Sequence, residues 1–78
     1  MDSSTYDACL AIPIDKIPNI TKFQKDQIKK YRSDLKTIRD LLIYQDPGSE
    51  LRQAYGIGKV RARGILESVT RFVDEFLS

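Results

Sequence analysis

Six apolar residues near the C-terminus, Ala62, Ile65, Leu66, Val69, Val73 and Phe76, follow one another at intervals of 3, 1, 3, 4 and 3. That is the spacing of a single helix face. An amphipathic helix gains most of its stability by burying such a face, so the rest of this 78-residue chain has to fold over it. No other segment sustains the alternation of a strand. The expectation is an all-α domain of four to five short helices around one modest core.

Earlier segments supply those helices. Thr21-Lys-Phe-Gln24 fits a capping box, in which the two polar side chains satisfy each other's orphan amides. It predicts a helix over about 21–32, with Ile28 and Tyr31 inward and Lys22, Lys25, Lys29 and Lys30 outward. Thr37 is a good N-cap for "IRDLLIY", whose Ile38, Leu41 and Leu42 point to the core. "DPGS" (46–49) is a turn and a fresh start, with Pro47 near a helix N-terminus and Asp46 or Ser49 as cap. "ELRQAY" makes a short third helix that stops at Gly56. Residues 1–10 read as a flexible polar lead, and 11–78 as the folded domain, opening on the irregular or briefly helical "AIPIDKIPN".

A shift of 37 residues lays "IDKIPNITKFQKDQI" (14–28) on "LRQAYGIGKVRARGI" (51–65). Ile14 then meets Leu51, Ile17 meets Ala54, Ile20 meets Ile57, Lys22 meets Lys59 and Ile28 meets Ile65. The apolar positions coincide without a gap, as two related units sharing one core would require.

Within the second unit, Gly56 and Gly58 allow backbone angles closed to other residues, so the chain can reverse within a few residues. Ile57 between them is placed to anchor the reversal. A helix begins immediately afterwards, which leaves the amides of about Gly58, Lys59 and Val60 unpaired at a positive helix end, suited to a phosphate oxygen. Lys59, Arg61 and Arg63 oppose the helix dipole there, which points to an anionic partner. Val60 and Gly64 lie opposite Ala62, Ile65 and Val69. This strip either admits a phosphate backbone or another helix closely, or packs on the chain's own first unit.

Tyr55-Gly56-Ile57-Gly58 followed by Ala62-Arg63-Gly64-Ile65 resembles the helix–hairpin–helix DNA-binding family, with Leu51 in the preceding helix at the family's leucine position. Tyr55 departs from the proline common before the first glycine. In the first unit Pro18-Asn19-Ile20-Thr21 keeps the proline and the inward isoleucine but lacks both glycines, and Lys25 replaces the alanine. Asn19 still tolerates a left-handed conformation. The chain therefore resembles a tandem helix–hairpin–helix domain with one degenerate and one intact hairpin. It is similar in layout, across roughly 10–69, to the C-terminal domain of the RNA polymerase alpha subunit. That domain's DNA-reading arginine and asparagine are replaced by Phe23 and Asp26, and the lysine and serine after its hairpin glycine by Val60 and Arg61.

The resemblance implies a non-catalytic, largely sequence-independent grip on duplex or junction DNA, in repair, replication or transcription. Gly56, Ile57, Gly58, Lys59, Val60, Arg61 and Arg63 would hold the phosphate backbone, with Thr21, Lys22 and Lys25 as a secondary contact. The alternative is a protein-interaction or dimerisation domain of the same fold, contacting another protein or a domain of a parent chain. The degenerate hairpin and the apolar "RFVDEFLS" motivate it. RNA is a lesser alternative.

Charge and composition fit these readings. Residues 21–63 hold eleven Lys/Arg against five Asp/Glu, net +6, between segments 1–20 and 64–78 of net −2 each. A basic centre favours a polyanion. With no histidine and one cysteine, Cys9, there is no expected disulfide, metal site or cofactor, and no nucleophile–base pair or Walker loop suggests catalysis. Asp74 and Glu75 are not a catalytic pair. Tyr6, Tyr31, Tyr44 and Tyr55 are expected as core or cover, and Phe72 and Phe76 as an extension of the core stripe or a partner contact. No signal peptide or membrane span is expected, which places the protein inside the cell, in the cytoplasm and nucleoid or in the nucleus.

Overall fold

The computed structural model describes residues 3–78. It contains five α-helices: α1 (Ser3–Leu10), α2 (Lys22–Tyr31), α3 (Ile38–Leu42), α4 (Pro47–Leu51) and α5 (Lys59–Leu77), with one 3-10 turn at Ile14–Lys16 between α1 and α2. No strand occurs among the described residues. A single antiparallel bridge joins Pro13 to Thr37, flanked by the bonds Ile14 N–H to Lys36 O (2.8 Å) and Ile38 N–H to Ile12 O (3.0 Å). It clamps the segment before the 3-10 turn against the start of α3.

Local capping explains where most helices begin. At α2, the Thr21 hydroxyl accepts from the Gln24 amide while the Gln24 side chain accepts from the Thr21 amide, both at 3.1 Å. At α3, Thr37 and Asp40 repeat the arrangement. The Asp40 carboxylate accepts from the amides of Lys36 and Thr37, which holds its pKa below the ordinary carboxylate value. At α4 the cap is Asp46 rather than Ser49, with Pro47 in the first turn, where its missing N–H has no partner to lose. The helix consequently starts earlier than "ELRQAY" suggests and ends at Leu51. Residues 52–57 then descend through tight turns, with Ala54 N–H bonded to Leu51 O and Ile57 N–H to Ala54 O.

Long helix α5 packs on α4 and α1. Its Ala62, Ile65 and Val69 are buried among Ile14, Ile17, Ile28, Leu35, Ile38, Leu41, Leu51 and Ile57, while Leu66, Phe72 and Val73 pack at the margin. Leu42 was expected in this core and is exposed instead. Helix α3 has only five residues, and once Ile38 and Leu41 face inward Leu42 is rotated toward solvent.

The N-terminal lead also differs from expectation. Ser3–Leu10 is helical, and Cys9 and Leu10 are buried, so this stretch is part of the domain's cover. Residues 1–2 of the lead lie outside the described residues. The lead carries too few apolar residues to show a helical stripe; it is held by contacts of α1 with α3 and α5 that no local pattern announces. Burial pushes the Cys9 thiol above its usual pKa, consistent with a space-filling role.

The 37-residue shift reappears in three dimensions. Asn19 (φ 69°) and Gly56 (φ 77°) are the two described residues with left-handed backbone. Ile20 and Ile57, one step on, are both buried. Thr21 and Gly58 are both extended N-caps, and Lys22 and Lys59 both open a helix. Ile14 and Leu51, Ile17 and Ala54, and Ile28 and Ile65 are buried pair by pair. The two turns are also neighbours: a Cβ placed on Gly56 would lie 2.9 Å from Cε1 of Phe23, in the first turn of α2.

Candidate nucleic-acid interface

The reversal at 55–58 is held from inside by Ile57 and from outside by Arg61. Burial of an isoleucine side chain contributes roughly 1.5–3 kcal/mol, enough to fix a short turn. One Arg61 guanidinium nitrogen donates to the Gly56 carbonyl at 2.7 Å, stapling the turn to the second residue beyond the start of α5. Gly56 needs its left-handed angle and its missing side chain, since Phe23 occupies the space. Gly58 does not. Its φ of −92° and ψ of −169° are ordinary extended backbone, and a Cβ there would meet nothing within 4 Å. Nothing among the described residues therefore requires a glycine at 58.

What Gly58 does is leave the helix end open. It offers no side-chain cap, and the first backbone bond of α5 is Ala62 N–H to Gly58 O, at 2.9 Å. The amides of Gly58, Lys59, Val60 and Arg61 have no acceptor among the described residues. They stand at the positive end of a nineteen-residue helix. Such donors can hold an oxyanion without a dedicated side chain.

The three cations after the hairpin do not form one cluster. Residues two apart on a helix point to nearly opposite sides, so Arg61 turns back over the hairpin while Lys59 and Arg63 line a groove between α4 and α5. Sequence reasoning missed Arg52, which closes α4 and lines the same groove. The signal for it lay in chain geometry: a short helix feeding a tight reversal returns its last residue toward the start of the next helix. None of Arg52, Lys59, Arg61 and Arg63 takes part in the ion pairs of the described residues, which join Lys29 to Asp15, Arg32 to Asp34 and Glu50, and Arg39 to Asp7.

Val60 and Gly64 form the exposed strip the sequence suggested. Val60 is 83% exposed, and a Cβ on Gly64 would meet nothing within 4 Å. The possibility of packing against the chain's own first unit is therefore not realised. Tyr55, expected as core or cover, is 81% exposed beside the turn, and Phe23 is 48% exposed over Gly56. Tyr31 and Tyr44 do cover the core. The Tyr31 hydroxyl donates to Glu50, a bond that together with burial raises its pKa, and Arg32 lies over the Tyr44 ring at 5.7 Å. This cluster ties the end of α2 to α4.

The first turn is engaged differently. Thr21 is committed to its capping box, and the Lys25 ammonium donates to the Asp15 carbonyl at 2.8 Å. Lys29 pairs with the Asp15 carboxylate at 2.8 Å, which raises the lysine pKa. Lys22 is exposed and in no ion pair among the described residues. Among the described residues no group of three or more His, Cys, Asp or Glu could hold a metal ion, and no helix is long and apolar enough to cross a membrane. Comparison with known proteins finds no matching family model, no matching curated protein and no matching solved structure.

Proposed function

We propose that this protein is a non-catalytic module that grips the phosphate backbone of DNA through the Gly56–Gly58 hairpin, with little choice of sequence. The carrying observation is the open N-terminus of α5. Four consecutive amides lack acceptors behind a glycine that the fold itself does not require. Exposed Val60 and Gly64 keep the adjoining strip low enough for a close approach, and Lys59 and Arg63 add unpaired positive charge. Backbone donors read phosphate rather than base edges, which is why sequence should matter little.

The tandem helix–hairpin–helix reading is supported by the matched left-handed steps at Asn19 and Gly56. In that reading the first hairpin is mainly a support: Lys22 remains as its contact to DNA, while Thr21 and Lys25 serve the fold. A role in repair, replication or transcription follows from the resemblance.

A second reading, a protein-interaction domain, draws on the end of α5, where Phe76 is stacked on Phe72 at 6.3 Å and remains 42% exposed. Amide chemical-shift titration separates the two. With a short duplex, residues 56–61 should shift first and log affinity should fall linearly with log salt. Salt-independent binding, or shifts confined to 72–77, would remove the DNA reading.

A further inference from the structure

The groove between α4 and α5 is polarised along its length. Gly48 of α4 faces Leu66, close enough that a Cβ would come within 3.3 Å of its Cδ1. Arg52, one turn beyond Gly48, lines the same groove as Lys59 and Arg63. Further along α5 the lining becomes Glu67, Arg71 and Asp74. Asp46 also lines the groove, but its carboxylate caps α4 by accepting from Ser49 N–H at 3.2 Å.

The cationic end is unfavourable for an isolated chain. Lys59 and Arg63 are like charges at i and i+4, and Lys59 sits at the positive end of α5. Each such term opposes the helix weakly. No carboxylate among the described residues comes within ion-pair distance of these three side chains to offset it. An anion in the groove would.

We infer that the DNA strand held at the hairpin continues into this groove, where Arg52, Lys59 and Arg63 neutralise its next phosphates one by one, and that Glu67 and Asp74 end the track. This rests on the hairpin reading of the preceding subsection and adds a path to it. The backbone runs along the α4 side of α5 rather than along Lys25 and Lys29 of α2, which are occupied by Asp15. A strand of phosphates fits better than an acidic peptide, because the cations are contiguous with open backbone amides that suit small oxyanions.

The test is fluorescence anisotropy of a short labelled duplex against salt, with circular dichroism to confirm folding of each variant. Arg52→Gln should lower the slope of log affinity against log salt by about 1, and Arg52→Gln with Arg63→Gln by about 2. Glu67→Gln should tighten binding by extending the track. The inference is overturned if the double variant keeps the wild-type slope while Gly58→Thr abolishes binding, an outcome that leaves the hairpin reading standing. Loss of both readings would show as no DNA binding by the wild-type chain. Capture of poly-glutamate in place of DNA, weakened by Arg52→Gln, would assign the groove to a protein partner and overturn it equally.

Discussion

The two turns of this protein share a backbone and differ in what they leave exposed. Both pass through a left-handed residue, bury the following isoleucine and open a helix on a lysine. At the first, Thr21 and Gln24 satisfy two of the amides at the helix start, and the lysine one turn on is drawn back to Asp15. At the second, Gly58 satisfies none, and the cations that follow have no carboxylate partners among the described residues. The same supersecondary unit can thus be finished with its helix start closed by side chains or left open. The choice lies in a few side chains that the backbone conformation does not dictate.

The largest effect should come from Gly56→Ala. A side chain in the left-handed region costs about 1–2 kcal/mol, and the new Cβ would press on the Phe23 ring at 2.9 Å. We expect a loss of about 2 kcal/mol in urea unfolding. Phe23→Ala in the same background should recover the steric share, so the two losses should not add. Simple additivity would break the claim that Phe23 closes over the second turn.

Gly58→Thr makes the second turn resemble the first. Extended backbone and open space accept the side chain, and threonine caps about as well as glycine, so stability should change by no more than a few tenths of a kcal/mol. The hydroxyl would occupy an amide that the receptor needs. DNA affinity should fall by at least about tenfold, or about 1.4 kcal/mol, in anisotropy titrations. Unchanged affinity would mean that the open amides are not the contact.

Thr21→Ala should act in the opposite sense and least. Loss of the capping box should lower stability by about 1 kcal/mol, read by thermal or urea unfolding. The salt slope of DNA binding should stay at its wild-type value. A reduced slope would place the first turn in the interface and remove the asymmetry between the two.

Much of the fold was legible before the structure. Thr21, Thr37 and Pro47 each mark a helix start through bonds or torsions that reach no further than four residues. The α5 stripe and the 37-residue repeat likewise follow from period and spacing. Leu42 misled because periodicity alone does not say which neighbour of Leu41 a five-residue helix turns outward. Helix α1 was hidden because Cys9 and Leu10 are held by distant partners rather than by a local pattern. At the candidate site, the hairpin was visible in "YGIG", whereas the separation of Arg61 from Lys59 and Arg63, and the arrival of Arg52, were not.

By itself the chain's sequence determined where helices start, where the backbone turns left-handed and which isoleucines anchor the turns. Those features depend on torsions and hydrogen bonds between near neighbours, so residue type and spacing suffice. Only the tertiary structure decided that no distant side chain among the described residues closes over the start of α5, which lysines Asp15 withdraws, and which cations line one α4–α5 groove. These outcomes depend on side chains far apart in the chain arriving within a few ångströms of one another, and no local rule governs that arrival.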